Sequence, residues 1–432
     1  MSCSFAVDAG TQGGGTAVFD VLRVRDFRLV AIAELLSSLG DWLLLVAAPY
    51  FVLRLTGSTL ATGLTFAAET APALLLGPVA GVLADRWDRR RTMLAIDVSR
   101  AATVALMLLV HHPGQVWLIY VALIGEAGLG LLFGPARKAL IPALVGRGPQ
   151  LTSANSLAAL VSGTVRLVGG PAGGALYALA GFTTVVALDA ASYVASAILI
   201  TAIRHRPEPA TPQDHGGTVL GRFTNDLRAG ATHLRATPGL PAVFATAATF
   251  LVGNAALTAL LVPYTGTVLH AGAGKLGLLF AALGVGYLAG APLSRAVAAR
   301  LSDRTVMTSS LAGLSGVFAV TFNTHDIAWA LVLFVLIGPP GVCFLVTVDT
   351  YLARRTPDAL LGRVSSAYGM LQAAATLVGM LGGAALGQQA GIGITADLAA
   401  LCVAVSAATA LLTLRPTTAD SPAPLPTYKP EV

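Results

Sequence analysis

The sequence predicts an all-α polytopic membrane protein with about 12 transmembrane helices in two six-helix bundles. Three observations carry this prediction. Of the 432 residues, 55% are hydrophobic and only 11% are charged, against about 25% charged in an ordinary soluble domain. The apolar residues come in continuous blocks long enough to cross hydrocarbon, which takes about 20 residues as a helix. Basic residues concentrate in alternate gaps between the blocks, as a membrane topology requires. The first two observations exclude a soluble enzyme, and the continuous runs exclude a membrane barrel, which needs alternation.

In chain order the predicted spans are 29–53, 58–83, 93–111, 115–133, 152–180, 182–203, 240–265, 274–297, 305–323, 327–350, 365–387 and 393–414. With the N-terminus inside, the first inner segment holds Arg23, Arg25 and Arg28, and the next holds Arg86, Arg89, Arg90 and Arg91. Arg137, Lys138 and Arg147 follow, then Arg204, Arg206, Arg222, Arg228 and Arg235. The later inner segments hold Arg295, Arg300 and Arg304, then Arg354, Arg355 and Arg363, and finally Arg415 and Lys429. Only Arg54 and Lys275 fall outside, while Arg100 and Arg166 lie within spans. Missing one helix would scramble this pattern, so both termini are expected in the cytoplasm.

The expected organisation is a cytoplasmic tail (1–28), an N-terminal six-helix bundle (29–203), a cytoplasmic central loop (204–239), a C-terminal six-helix bundle (240–414) and a second tail (415–432). Met1 to Asp20 carry Gly-Thr-Gln-Gly-Gly-Gly and no basic-then-apolar pattern, so they read as a disordered tail, not a signal peptide. Within the central loop, 223–235 suits a short surface helix before Pro238. The halves echo each other. Gly63-Leu-Thr-Phe-Ala-Ala resembles Gly277-Leu-Leu-Phe-Ala-Ala, and a basic loop at 135–150 with Pro142 has a counterpart at 351–363 with Pro357. Repeated halves with a site at their interface are a transporter architecture.

Much familiar chemistry is missing. No phosphate-binding GxxxxGK[ST], HExxH or GxSxG motif is present, so energy must come from an ion gradient or the substrate's own gradient. Cys3, Cys343 and Cys402 are scattered, and the histidines fall at loops or span ends. The expectation is therefore no metal and no cofactor. The basic balance follows from topology and implies no nucleic acid. Arginine far outnumbers lysine, and alanine and glycine abound, a composition typical of GC-rich bacterial genomes.

Ionisable groups inside a membrane are costly and therefore functional suspects. Glu34 and Asp41 lie seven residues apart on roughly one face of span one, Glu69 near the middle of span two, and Glu126 in span four. Arg166 lies in span five and Asp189 in the outer half of span six. All are in the N-terminal half. Asp349 and Asp397 of the C-terminal half sit near span ends. The N-terminal half is thus expected to carry proton coupling, with Asp41, beside Gly40, as first choice. The other half offers an apolar wall with Asn254 and Gln372 for a large amphipathic molecule. Glu126 and Arg166 are expected to meet between spans four and five, as an ion pair or a protonation switch. Glu34 and Glu69 are candidates to bind a cationic substrate. Asp97 with Arg100, at the base of span three, reads as structural.

One motif is specific. Gly81-Val-Leu-Ala-Asp85-Arg86-Trp-Asp88-Arg89-Arg90-Arg91 resembles the hallmark loop of the major facilitator superfamily, Gly-x-Leu-Ala-Asp-Arg-x-Gly-Arg-Arg, with Asp88 in place of glycine. The resemblance implies that Asp85 faces the N-terminus of span eleven. It also implies that Arg89 and Arg90 contact nearby acids, forming a latch between the halves. Phe27-Arg28-Leu, Leu39-Gly-Asp41-Trp, Pro135-Ala-Arg-Lys-Ala-Leu-Ile-Pro142 and Ala154-Asn-Ser-Leu157 look like the drug:proton antiporter branch that includes macrolide and enterobactin exporters. Gly170-Pro171-Ala-Gly173-Gly174-Ala175 resembles the antiporter motif Gly-Pro-x-x-Gly-Gly, with Ala175 replacing its last glycine. Its alternative reading is close packing through small residues. The superfamily's usual span-four arginine is missing, and Arg166 is the candidate replacement.

These resemblances imply the major facilitator fold and proton-coupled export of hydrophobic or amphipathic small molecules, such as antibiotics, from a bacterial cell by alternating access. A dedicated siderophore or natural-product exporter, a lipid flippase and a membrane sensor share the pattern. The implied partners are a small-molecule substrate, protons and membrane lipid, with the chain working as a monomer.

Overall fold

In hydrocarbon a chain has no water to satisfy its backbone N–H and C=O groups, so each apolar block must fold as a helix that satisfies them internally. A computed structural model describes residues 19–84, 88–204, 228, 230 and 232–414, and their regular structure is helical. The N-terminal tail, Asp85, Arg86, most of the central loop and the C-terminal tail lie outside the described residues.

Helices α1 (Arg25–Thr56), α2 (Thr59–Ala84), α3 (Arg89–Ala105) and α4 (Val116–Val145) lead into one helical stretch, Pro149–Thr201. At 53 residues that stretch is about 80 Å long, more than twice the hydrocarbon thickness. It is broken at Gly181, with φ 79° and ψ 176°, into two crossings, α5 (149–180) and α6 (182–201). The second half contains α7 (Leu240–Pro263), α8 (Ala273–Ala298), α9 (Asp303–Asn323), α10 (Ile327–Arg355), α11 (Asp358–Ala390) and α12 (Ile392–Thr413). The described residues thus form 11 membrane-length helices, one of them the broken pair, which gives twelve crossings. The break recurs in the second half, where Gly391 (φ 90°, ψ 162°) alone joins α11 to α12. This backbone region is open essentially to glycine only.

Two corrections concern helix ends. The segment expected as a basic loop at 135–150 is mostly helix, since α4 runs to Val145 with Pro135 and Pro142 inside it. Its counterpart is likewise cut to the short joint between α10 and α11. The helices outrun the hydrocarbon: arginine, lysine and leucine are good helix formers whether or not lipid surrounds them, and prolines are tolerated in membrane helices.

Within the first half α1 packs on the α5–α6 stretch, α2 on α4, and α3 on α4 and α6; in the second, α8 packs on α10, α7 on α11 and α12, and α9 on α10 and α12. The halves meet along two seams, α2 against α11 and α5 against α8. Both seams are built on glycine, and the two repeated sequences hold equivalent places in them. Gly63 of α2 lies against Ala384 of α11, and Gly277 of α8 lies against Pro171 of α5, where a Cβ would stand 3.0 Å from the Pro171 carbonyl oxygen. A Cβ on Gly170 would stand 2.9 Å from Cβ of Phe280, and one on Gly174 would stand 2.9 Å from Cα of Gly277. Gln388 of α11 closes the first seam: its Oε1 accepts hydrogen bonds from the Thr59 amide (2.8 Å) and the Ser58 hydroxyl (3.0 Å).

These contacts all lie toward the end where α2 and α8 begin, which is poor in arginine. Toward the other, arginine-rich end the halves part. On α5 the residues Asn155, Ala159, Ser162 and Arg166 are exposed and fall on one face at helical spacing. That face points between α1 and α8, opposite the exposed Leu160, Val168 and Leu179, which face lipid. A Cβ on Gly163 would have no heavy atom within 4 Å. A cleft between the halves therefore opens at the arginine-rich end and is shut above Arg166 by the glycine seam.

Opposite effects follow for two glycine substitutions. Gly174→Ala should lower stability by about 1–3 kcal/mol through overpacking. Gly316→Ala, on an exposed stretch of α9 with nothing within 4 Å, should raise it by about 0.5–1 kcal/mol through helix propensity. Thermal melts of the detergent-solubilised protein compare the two signs directly.

Candidate functional site

A buried charge survives in a membrane protein only when paired or wetted, and the charge at the centre of this site is an arginine. Arg100 sits midway along the crossing that begins with α3, and its side chain is 8% exposed. Its Nη2 donates to Oδ2 of Asp41 on α1 at 3.1 Å and to Oε1 of Glu126 on α4 at 2.6 Å. Its guanidinium carbon lies 4.3 Å from the ring centre of Tyr193 on α6. The Tyr193 hydroxyl reaches Oε1 of Glu126 at 2.9 Å and also contacts Oδ1 of Asp41. Four helices thus meet at one cation and two carboxylates.

The geometry bears on proton content. A phenol carries one proton and can donate to one oxygen at a time, yet Tyr193 touches both carboxylates. Both contacts are hydrogen bonds only when one carboxyl carries a proton and donates it to the phenol oxygen. The charge balance points the same way. Asp189, fully buried on α6, presses against Gly40, where a Cβ would also stand 2.6 Å from the Ser192 hydroxyl. No cation pairs with its carboxylate among the described residues, and the Ser192 hydroxyl is the one polar side-chain group beside it. Glu69 on α2 lies within electrostatic reach of Asp41 and Glu126. Asp97, one turn before Arg100, accepts from the Ser196 hydroxyl at 2.5 Å through one oxygen, and the other oxygen is unpartnered. Five acids around one arginine are too many to be ionised together in low dielectric. Of the two acids paired with Arg100, Asp41 is the more accessible: its side chain is 34% exposed, against 8% for Glu126.

Several expectations need correction. Glu126 does not meet Arg166. It faces α3 and α6, while Arg166 stands in the cleft with its guanidinium carbon 5.8 Å from the Trp42 ring. Adjacent spans in the chain turn different faces to each other. Arg100 is no basal structural residue but the hub, and it pairs with Asp41 and Glu126, not with Asp97. Glu34 is no free anion: it forms an ion pair with Arg137 of α4, beside a small apolar pocket lined by Phe27, Val30, Ile141 and Leu157.

Among the described residues Arg89 and Arg90 contact backbone carbonyls and no acid; Asp85, the acid of the expected latch, lies outside the described residues. Arg89 donates to the Ala139 carbonyl (3.1 Å) and Arg90 to the Ile200 (3.0 Å) and Thr201 carbonyls, near the C-terminal ends of α4 and α6. The carbonyls at the end of α6 attract a cation, and the two arginines together brace the first half internally. Asp88 caps α3 through the Arg91 amide (2.8 Å). Gly81 lies in the last turn of α2, and Asp85 and Arg86 lie outside the described residues. Gly170, Pro171 and Gly174 are brought to the α5–α8 seam. Tyr193 was missed altogether, since a tyrosine in an apolar span carries no signal of its partners.

Two six-helix halves around a one-sided cleft, with a charge cluster inside one half, define a secondary transporter of the major facilitator class. The chain matches the transmembrane secretion effector family of that superfamily over residues 16–432, and it belongs to that family. It is 28% identical over 382 residues to the multidrug efflux pump Tap of Mycolicibacterium fortuitum, covering 85% of this chain and 90% of that one. It is 28% identical over 344 residues to the enterobactin exporter EntS of Citrobacter koseri, covering 78% and 80%. A shorter match, 29% over 169 residues, to the MFS-type transporter YfiS of Bacillus subtilis covers 39% of this chain and 40% of that protein. In fold it resembles a bacterial homologue of the iron transporter ferroportin in its inward-facing state. The TM-score is 0.67 at 16% identity, over 90% of this chain and 98% of that one. The relatives are transporters, and the chain is a multi-pass membrane protein.

Removing Arg100 should expose the strain in this cluster. Arg100→Met is expected to cost about 3–5 kcal/mol, the usual result of orphaning buried charges. Adding Asp41→Asn and Glu126→Gln should recover most of it, as read by melting temperature in detergent. A single substitution with no loss would show that the arginine is not compensating those acids.

Proposed function

We propose that this chain exports hydrophobic or amphipathic small molecules, antibiotics among them, across a bacterial cytoplasmic membrane in exchange for protons. The observation that carries this reading is the Asp41–Arg100–Glu126–Tyr193 cluster, sealed in one half with Asp41 reaching the cleft. In the proposed cycle the substrate enters the cleft from the arginine-rich side, which the positive-inside rule assigns to the cytoplasm together with both termini. The halves, 29–203 and 240–414, rock as units linked by 204–239, so the glycine seam opens and the cleft closes behind the substrate. A proton arriving from outside neutralises Asp41 and loosens its hold on Arg100. Its release to the cytoplasm restores the ion pair and resets the carrier. The similarity to Tap, a multidrug efflux pump, and EntS, an enterobactin exporter, supports export over uptake. Membership of a family of transporters supports a carrier working as a monomer over a flippase or sensor.

Transport by the full-length chain in everted membrane vesicles tests this. Macrolides, tetracyclines and lipophilic dyes should accumulate when a proton gradient is imposed, and a protonophore should abolish the uptake. Asp41→Asn and Glu126→Gln should each cut gradient-driven uptake by about 10²-fold, the scale of losing a positioned acid–base group, at unchanged protein level. Uptake that survives the protonophore would refute proton coupling. Full activity in both variants would remove the cluster from the mechanism.

A further inference from the structure

A second charged feature remains unexplained by the proposed proton exchange, and it lies in the cleft itself. The other arginines in the first half's interior are matched: Arg100 by Asp41 and Glu126, and Arg137 by Glu34. Arg166 is not. Among the described residues no carboxylate lies within ion-pair distance of it, and none of its N–H groups is used in a hydrogen bond. Such a cation at membrane depth is expensive unless water or a ligand meets it. The α5 face that carries it is the exposed one, running through Asn155, Ala159 and Ser162 toward the open end. Just above it the Gly170–Phe280 contact shuts the cleft. Arg166 therefore stands at the cleft's blind end, where a ligand from the open side comes to rest.

Its neighbours are aromatic. The Trp42 ring of α1 lies 5.8 Å from the guanidinium carbon. Tyr287 of α8, half-buried and packed near Gly341 of α10, is within electrostatic reach of Arg166. One aromatic ring thus comes from each half. A guanidinium whose donors are all free matches the two oxygens of a carboxylate or similar acid, and flat rings beside it suit a flat apolar body.

We infer that Arg166, Trp42 and Tyr287 form a subsite for the acidic group of the transported molecule, and that this molecule is an organic anion built on an aromatic ring. The inference rests on the exporter reading above and narrows its substrate class. It departs from the expectation of a cationic substrate held by Glu34, whose charge Arg137 already answers. Contact with rings from both halves makes the bound anion sensitive to their separation, as alternation requires.

The test is equilibrium binding by calorimetry to the purified full-length chain in detergent, without any proton gradient. Three probes share one ring system: 2-naphthoate, 2-naphthamide and 2-naphthylmethylammonium. The anion should bind about tenfold tighter than the neutral amide, and the ammonium weakest. Arg166→Gln should bring anion and amide within about twofold, while Arg166→Lys, which keeps the charge but loses the fork, should retain part of the preference. Gel filtration and melting temperature confirm that both variants are folded. Tightest binding by the ammonium, no binding by naphthoate, or an anion preference untouched by Arg166→Gln would overturn the subsite. Because no gradient enters this assay, the subsite can stand even if the vesicle experiment refutes proton coupling, and the reverse.

Discussion

The interaction on which the rest of the structure depends is the hold of Arg100 on Asp41 and Glu126. Burying a guanidinium in a membrane protein is tolerable only if carboxylates reach it with good geometry. That requirement draws α1, α3 and α4 to one point and brings in α6 through Tyr193. It accounts for features that otherwise look unrelated. Gly40 is small because Asp189 must lie against α1 beside Asp41. Arg90 ties the start of α3 to the end of α6, which helps fix the relative height of the helices that carry Arg100 and Tyr193. The cluster is local to one half, and the second half meets it only across the cleft and seams.

Those seams supply the opposite property. Where the cluster is strongly bound and specific, the α5–α8 contact rests on glycines and backbone. Close approach of small residues gives tight packing without hydrogen bonds to break. The α2–α11 seam adds Gln388, which caps the start of α2 across the seam. The molecule therefore combines a half that is hard to rearrange with a junction that is easy to part. The rocking proposed for the two halves needs both.

Much of this was legible in the residues. Apolar block length and the arginine pattern were enough for twelve crossings, and the block boundary at Gly181 was visible as a gap between predicted spans. The acids Asp41, Glu126 and Asp189 stood out because carboxylates are rare in apolar runs. What could not be read was direction. Whether Glu126 faces Arg100 or Arg166 depends on the rotation of α4 and on which helix lies beside it, and chain order says nothing about either. Tyr193 was silent for the same reason. The extension of α4 past Pro135 was hidden because hydropathy reports where lipid ends, and a helix need not end there.

The single-residue joints at Gly181 and Gly391 have a mechanical consequence. A loop of several residues would act as slack, letting one helix shift while its successor stayed put. One glycine supplies almost none, so α5 and α6 behave as the two arms of a bell-crank. The outer arm bears on α8 at the seam, and the inner arm carries Asp189 and Tyr193. Any torque that parts the seam is delivered to the charged cluster by the covalent chain itself.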